Sequence, residues 1–468
     1  MKTYINNILF LLGIIVSGYI LFNSTHKGYT NYYLVPLIFA IYVKLDKEIY
    51  IRAMNNVGFA MFFISSCFRF YIVPFITCAS KYAVILGMSP TIQDYKEAVN
   101  LAIYEEITIL FIFYTILRKK FYKTEYYLSN QVQKIELIKS HKLFTFIIVT
   151  SLLIILLIPQ SISNINFITN LGNINLAETI VLNFPLAGLC TAIINLGRFF
   201  TILLLINYFY KKSKQGHTLF YIIISICIIL LNASFVTNLS RFGMIVPIIS
   251  FTYLLLKIYD NYKTKIIKIM ILCTTIIIVG MSAIKFFSED RNTNANASNE
   301  VTFWGETLQT YFMGIKEIAV GIHAKDRIDG IYENNKIALF FNDSFQNILG
   351  LSNLTTPQLN TTRLYNYTYF PNSRSISQIP PNIINGLYYF GWFLAPLYIL
   401  LFIYMFSYLD YKVHRNSNIV LKFAFLYGAL YCGLCMMING AMLISFLINE
   451  MLAIIICFKL NKTNTNRK

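Results

Sequence analysis

Apolar segments long enough to cross a bilayer fill both ends of this chain, and one polar stretch, Phe287–Ile383, separates them. A chain crosses a bilayer only as helices or as a closed barrel, because every backbone hydrogen bond must be made within the protein. The 468 residues are 56% hydrophobic and 13% charged, whereas soluble domains carry about 25% charged residues. The sequence therefore predicts an all-α integral membrane protein.

About twelve segments approach the length of a membrane span, which is about 20 apolar residues. They are 5–23, 31–44, 55–76, 101–117, 143–160, 186–209, 218–234, 241–257, 265–286, 384–408, 418–436 and 439–458. We expect three regions. Residues 1–286 hold spans one to nine, 287–383 form one large extracytoplasmic loop, and 384–468 hold the last three spans and a cytoplasmic tail.

The positive-inside rule orients these spans, because cytoplasmic loops are enriched in Lys and Arg. Alternate loops are basic, for example around Lys119 and around Lys211, and the loops between them are poor in cations. This pattern predicts cytoplasmic termini and an external polar stretch. That stretch has seven Lys/Arg and nine Asp/Glu, so it is acidic in a chain of net charge +18. Basic residues confined to short loops argue against nucleic acid as a partner and favour anionic membrane lipid.

The external stretch has its own helical pattern. Apolar residues recur at helical spacing in Phe303–Ala324 and in Lys336–Leu351. We expect helices there that lie on the membrane surface or pack over the spans. A polar segment, Thr355–Ser377, follows and is rich in Asn, Thr, Tyr and Ser.

Arginines within the spans are candidates for chemistry, because charge inside a membrane is costly. Arg198 lies near the middle of the sixth predicted span, where it can bind a phosphate in a polar cavity or pair with a buried carboxylate. Arg69, in the third span, is a weaker candidate that can also snorkel outward. Arg241 opens the eighth span beside a helix N-terminus, which favours anions; a snorkelling arginine is the alternative.

The external stretch adds further cations next to tyrosines. Arginine among tyrosines suits anionic and sugar ligands, because guanidinium groups bind phosphate and carboxylate oxygens in a bidentate manner. The residues predicted to bind substrate are Arg291, Arg363, Arg374, Tyr367 and Tyr369. Surface decoration is the alternative for each arginine taken singly.

Glu306 and His323 are the predicted proton acceptors of the external stretch. Further candidates are Glu289, Asp290, Glu300, Glu317, Asp94, Glu105 and Glu106. A solvated surface charge is the ordinary expectation for each carboxylate, and adjacent residues such as Glu105 and Glu106 point in different directions on a helix. No ATP, dinucleotide or metalloprotease motif is present, so we expect no cofactor and no metal.

One segment at the end of the external stretch resembles a known family. The polar Ser377–Ile383 leads into Ile384–Trp392, which ends in Phe-Gly-Trp. This is similar to the corresponding helix of the Wzy family, the polytopic repeat-unit polymerases of O-antigen and capsule assembly. Ser240-Arg241-Phe242 also resembles the family's outward arginine, and the large late loop matches its architecture.

The resemblance implies glycosyl transfer at the outer face of the bacterial cytoplasmic membrane. A glycan on undecaprenyl pyrophosphate would be the donor, and a lipid-linked repeat unit the acceptor. Its pyrophosphate leaving group needs charge neutralisation, which arginines provide without a metal. On this basis the predicted catalytic residues are Arg241, Arg198, His323 and Glu306. Implied partners are a chain-length regulator and a flippase of the same pathway.

Two other functions remain open at this point. A lipid-linked oligosaccharide flippase would also use many spans and cationic side chains, although it needs no long external loop. An O-antigen ligase would share the architecture and the chemistry and differ only in its acceptor. A polyprenyl-phosphate-dependent transferase would carry acidic residues in its first external loop, and Asn23–Thr30 has none.

Overall fold

The computed structural model is all-helical over the residues it describes, which are 2–84, 87–122, 135–159, 187–233, 241–288, 300–332, 335–370 and 378–466. No β-strand occurs within these ranges, and a single isolated bridge joins Glu136 to Asn418. The α-helical fold class predicted from the sequence is confirmed for this part of the chain.

Twenty α-helices make up the described chain. They are α1 Lys2–Asn23, α2 Leu34–Leu45, α3 Ile49–Asn55, α4 Val57–Cys67, α5 Val73–Ala79, α6 Ile92–Ile112, α7 Lys142–Leu157, α8 Ala187–Ser213, α9 Thr218–Ala233, α10 Arg241–Ile258, α11 Lys263–Ser288, α12 Glu300–Tyr311, α13 Ile315–Ile331, α14 Lys336–Phe345, α15 Thr361–Tyr369, α16 Asn382–Leu394, α17 Pro396–Arg415, α18 Ile419–Gly433, α19 Gly440–Phe446 and α20 Ala453–Asn466. Wider π-helical turns at Phe68–Ile72, Phe113–Tyr122 and Leu447–Leu452 extend α4, α6 and α19.

Five continuous helical segments are long and apolar enough to cross a membrane. They are Tyr4–Asn23, Val57–Ala79, Ile92–Tyr122, Gly188–Ser213 and Gly440–Thr463. Two bent pairs raise the number to as many as seven: Gly243–Ile258 with Asp260–Ile277, and Asn382–Leu394 with Pro396–Arg415. The helices therefore fit a multi-pass membrane protein, but twelve separate spans are not confirmed among the described residues.

The difference in count arises where predicted spans are short or broken. The second predicted span corresponds to α2, which has 12 residues and rises about 18 Å, against a hydrocarbon core of about 30 Å. The helices α7, α9 and α18 are also shorter than a full span. The eighth and ninth predicted spans form one of the bent pairs, with an angle of 113° between its helices.

The chain divides into two compact units. Unit 1 comprises Met1–Asn130, Arg291–Tyr411 and Ala429–Ser445, and unit 2 comprises Gln131–Asp290, Lys412–Gly428 and Phe446–Lys468. In unit 2, α8 packs on α7 and α9, and α10 packs on α9 and α11. Stacked rings, such as Phe144 on Phe200 with centroids 4.4 Å apart, fill the space between its helices.

In unit 1 the helices of the polar stretch pack on apolar helices from the first part of the chain. The N-terminal half of α13, from Ile315 to Ile322, is buried on all sides. It packs against α6, α15 and α16, while α12 packs against α5. The amphipathic segment Phe303–Ala324 thus forms two helices with a break between them, and the second helix lies in the core of the unit.

Two glycines shape α16, which carries the Phe-Gly-Trp sequence. Gly391 has φ = +77°, a conformation that costs other residues a steric penalty, and it interrupts the helical geometry before α17 begins. Gly386 lies directly against the backbone carbonyl of Ala395, with no room for a Cβ atom. These positions allow α16 and α17 to form a bent pair with an angle of 112°.

We predict that Gly386→Ala lowers the free energy of unfolding by about 1–3 kcal/mol, because the added methyl group collides with the Ala395 carbonyl. Gly18→Ala is the matched control, since open space surrounds Gly18 in α1. It should be neutral or stabilising by up to about 1 kcal/mol through helix propensity. Thermal unfolding of the detergent-solubilised protein measures both. Equal stability of the two variants would contradict the close contact.

A buried carboxylate joins α14 to the two helices that follow it. Asp343 accepts hydrogen bonds from the Thr361 backbone N–H at 2.9 Å and from its hydroxyl at 2.6 Å. The Tyr389 hydroxyl donates a third at 2.5 Å. Burial raises the pKa of Asp343 to about 6, although these hydrogen bonds oppose the change. The carboxyl therefore binds a proton more tightly in the folded chain than in the unfolded chain.

We predict that Asp343 makes stability depend on pH between its ordinary pKa of 3.8 and about 6. Because the folded-state pKa is the higher one, its contribution is complete below this window and is lost as the pH rises through it, on the order of 3 kcal/mol in total. Asp343→Asn should remove this part of the slope of stability against pH in chemical unfolding. An unchanged slope would argue against a protonated Asp343.

Candidate functional site

A sharp turn between α12 and α13 brings a lysine and a glutamate together inside unit 1. Met313 adopts φ = +52°, and the Gly314 N–H bonds to the Gln309 carbonyl at 2.7 Å, which closes the turn. The Lys316 ammonium then forms an ion pair with the Glu306 carboxylate. Lys316 has no exposed surface and Glu306 is 3% exposed. Such a pair is retained in a core only when both charges are matched.

Hydroxyl groups complete this buried cluster around Glu317, the next residue of α13. Its carboxylate accepts hydrogen bonds from Tyr365 at 2.6 Å, from Tyr369 at 3.1 Å and from Thr310 at 3.1 Å. The Lys316 ammonium donates to the Tyr369 oxygen at 2.9 Å. Three helices, α12, α13 and α15, therefore meet through polar contacts in an otherwise apolar interior. We call these six residues the Lys316 cluster: Glu306, Thr310, Lys316, Glu317, Tyr365 and Tyr369.

The electrostatics of the Lys316 cluster follow from its burial. Loss of solvation raises the pKa of Glu317, although the Lys316 charge and the Tyr365 hydroxyl act in the opposite direction. Burial, and after it the charge of Glu317, also raise the pKa of Tyr365 and of Tyr369 well above the ordinary value. Both tyrosines therefore remain neutral and serve as hydrogen-bond donors.

Further along α13 the surface is open and carries a histidine oriented by a carboxylate. The His323 Nδ1 atom lies 3.1 Å from Asp94 Oδ2, and the His323 side chain is 42% exposed. Asp94 is itself held by a capping box at the start of α6: it accepts from the Thr91 N–H at 2.9 Å, and Thr91 Oγ1 accepts from the Asp94 N–H at 3.2 Å. This arrangement leaves the Nε2 atom of His323 directed away from the carboxylate.

A cation and an aromatic ring lie near this histidine on the same helices. Arg327 follows His323 by four residues, so both side chains share one face of α13. The Arg327 guanidinium lies over the Tyr367 ring, 5.7 Å from its centroid. Arg363 precedes Tyr367 by four residues on α15 and is partly exposed. We call His323, Asp94, Arg327, Arg363 and Tyr367 the His323 patch.

The structure thus brings together some of the predicted residues. Glu306 and Tyr369 meet in the Lys316 cluster, with the Tyr369 hydroxyl 3.5 Å from Glu306 Oε1. His323, Arg363 and Tyr367 belong to the His323 patch. Arg291 and Arg374 lie outside the described residues, and Arg241 begins α10 with its side chain outside the described part.

Two arginines of the predicted spans have carboxylates near them. Arg198, in α8, lies within electrostatic range of Glu450 in unit 2, and its guanidinium rests over the Phe199 ring at 4.8 Å. Arg69 does not snorkel to the surface. It is 5% exposed and pairs with Glu105 at 2.6 Å. For both residues the structure favours a partner within the protein.

Several carboxylates expected at the surface are buried. Glu105 and Glu106 have no exposed surface, and Glu306 and Glu317 are 3% and 1% exposed. The sequence suggested that Glu105 and Glu106 begin a span, but their helix already starts at Ile92. The expectation of solvated charges was wrong for these four residues, since contacts from distant parts of the chain enclose them.

Lys316 is the functional candidate that sequence reasoning missed. Its signal was a Lys-Glu pair set within the apolar run Ile315–Ile322, a position where a charge has to find a partner or a solvated face.

No group of three or more His, Cys, Asp or Glu side chains suited to a metal ion occurs in the described ranges. Comparison with protein-family models, with curated proteins and with solved structures finds no match for this chain.

We predict that Lys316→Met destabilises the protein by about 3–5 kcal/mol, because the buried Glu306 carboxylate loses its ion-pair partner. The double variant Lys316→Met with Glu306→Gln should recover much of this loss, since neither partner is then left as an unpaired buried charge. Thermal unfolding in detergent measures the difference. Additive destabilisation in the double variant would show that the two residues do not depend on each other.

Proposed function

We propose that the chain polymerises oligosaccharide repeat units carried on undecaprenyl pyrophosphate, at the outer face of a bacterial cytoplasmic membrane. The observation that carries the proposal is the His323 patch, an exposed histidine oriented by Asp94 beside an arginine and a tyrosine. Apart from Asp94, the residues of the patch lie in the stretch Phe287–Ile383 that the charge pattern predicts to be external. The resemblance of Ile384–Trp392 and of Ser240-Arg241-Phe242 to Wzy polymerases supports the same function.

In this proposal His323 is the general base. With Nδ1 donating to Asp94, the Nε2 atom is free to accept the proton of the attacking hydroxyl group. A carboxylate behind the imidazole fixes its tautomer and stabilises the imidazolium ion that forms. Glu306 is less suited to this step, because it is buried and bound to Lys316. We therefore assign Glu306 and Tyr369 to positioning α13.

The reaction then proceeds as a displacement at the anomeric carbon of the donor glycan. The acceptor hydroxyl loses its proton to His323 and its oxygen forms the new glycosidic bond. The bond between the anomeric carbon and the pyrophosphate oxygen breaks, and the lipid pyrophosphate leaves with the electron pair. Negative charge develops on this leaving group, and nearby guanidinium groups stabilise it.

The cations of the His323 patch are suited to stabilise the negative charge on the leaving pyrophosphate. Arg327 and Arg363 accompany Tyr367, whose ring offers a flat apolar surface for a sugar. Aromatic rings contribute large contact area at low cost in side-chain entropy. The sequence context of Arg241, at the start of α10, makes it a further candidate for contact with the lipid pyrophosphate.

The experiment compares cells that lack the chain with cells that carry His323→Ala, Asp94→Asn or Arg241→Ala. We predict that lipid-linked single repeat units accumulate outside the membrane and that long polymer is lost with His323→Ala, because general-base catalysis contributes about 100-fold or more. Asp94→Asn should retain binding but slow polymerisation and alter its dependence on pH. Lipid-linked and surface glycans are profiled by gel and mass spectrometry.

Asp329→Asn is the matched control for Asp94→Asn. Asp329 lies on the same helix, α13, in a partly exposed pair with Lys325 at 2.5 Å, and such pairs contribute little to stability. The amount of each variant in the membrane is measured in parallel, so that loss of folding is separated from loss of chemistry.

Other outcomes would identify the rival functions. Repeat units that accumulate at the cytoplasmic face would indicate a flippase. Polymer that forms but remains on its lipid carrier would indicate an O-antigen ligase. Normal polymer in cells without the chain would remove the proposal altogether. Under the polymerase proposal, cytoplasmic termini and cooperation with a flippase and a chain-length regulator of the same pathway are further expectations.

A further inference from the structure

A second buried charge centre lies in unit 1, within helices that are candidate membrane spans. Arg69 belongs to the π-helical turn Phe68–Ile72, and its guanidinium pairs with both oxygens of Glu105, at 2.6 Å and 3.4 Å. The same guanidinium lies 2.9 Å from the Met436 sulfur. Arg69 is 5% exposed and Glu105 has no exposed surface. This pair is electrically neutral, and both oxygens of Glu105 accept a hydrogen bond from Arg69.

Glu106, the next residue of α6, adds a second carboxyl group that the pair does not satisfy. It has no exposed surface, and neither of its carboxyl oxygens accepts a hydrogen bond from any described residue. Among the described residues, the charged groups that act on it are Arg69, which Glu105 already neutralises, and Glu105 itself. An ionised Glu106 would leave one buried negative charge in excess, which is strongly unfavourable in an apolar environment.

A second buried polar side chain, that of Tyr71, lies on the π-helical turn that carries Arg69. Tyr71 is 1% exposed, and its hydroxyl has no hydrogen-bond partner within the described ranges. It lies within electrostatic range of Glu106, on the same π-helical turn as Arg69. The Tyr71 ring is held in place, because it packs against Gly13 of α1 with no room for a Cβ atom there. π-Helical turns inside α-helices occur frequently at functional sites.

We infer that Glu106 and Tyr71 form a binding site for a single monovalent cation, a proton or a sodium ion, inside the membrane part of unit 1. One positive charge at this place balances Arg69, Glu105 and Glu106 together. The two oxygens of Glu106 and the hydroxyl of Tyr71 are hard oxygen ligands, which suit such a cation. The inference does not depend on the polymerase proposal.

Thermal unfolding of the purified full-length protein in detergent tests the site. The unfolding midpoint is measured in sodium chloride and in choline chloride at equal ionic strength, and then in choline at mildly acidic and mildly alkaline pH. A ligand that binds only the folded state raises the midpoint, here by about 2–4 °C. Glu106→Gln keeps the shape of the side chain and removes its charge, so it should abolish the response.

The possible results separate the two cations and can overturn the site. A sodium response that Glu106→Gln abolishes identifies sodium. A response to acid alone, reduced in the same variant, identifies a proton. Equal responses in the native protein and the variant, or no response in the native protein, contradict the inference. Glu97→Gln, on the same helix and bound by Gln93 at 2.9 Å, is the matched control and should behave like the native protein. If Glu106→Gln fails to fold, Glu106→Met serves in its place.

Discussion

The arrangement of the polar stretch depends on one buried ion pair, between Lys316 and Glu306. A lysine without exposed surface is stable only where carboxylates and hydroxyls surround it, and these groups come from three helices. The pair fixes the turn between α12 and α13, and Tyr369 adds α15 to the same centre. Because α13 is held at its N-terminal half, its open half presents His323 to Asp94 on a different helix. The position of the exposed His323 side chain therefore depends on the buried ion pair.

The two charge centres of unit 1 differ in how completely they are satisfied. In the Lys316 cluster, hydroxyl groups donate to Glu317 and compensate for its burial. Around Arg69, the guanidinium already pairs with Glu105. The Glu106 carboxyl group and the Tyr71 hydroxyl have no hydrogen-bond partner among the described residues. Buried polar groups without partners are rare in native structures and call for a specific explanation. Glu306 pairs with Lys316 through one oxygen and keeps one buried oxygen without a hydrogen-bond partner, whereas both oxygens of Glu106 lack one among the described residues. We therefore interpret the Lys316 cluster as structural support and the surroundings of Glu106 as a binding site.

Much of the fold was predictable, because the length of an apolar segment depends only on consecutive residues in the sequence. Five predicted spans coincide with helices of full length, and the helical patterns of the polar stretch correspond to α12, α13 and α14. The shortfall has a physical cause as well. Whether two apolar segments are separate spans or one bent pair depends on local breaks, such as Gly391 with φ = +77°. The sequence marks the glycine but not the angle between the helices.

For the candidate site, the sequence by itself determined which residues could carry chemistry: Glu306, His323, Tyr367 and Tyr369 stood out by type and by context. Only the tertiary structure decided their roles, because burial and partners come from residues far apart in the chain. His323 and Asp94 are separated by 229 positions, and no local pattern connects them. Composition and periodicity report on neighbours along the chain, whereas the state of a charge depends on its neighbours in space.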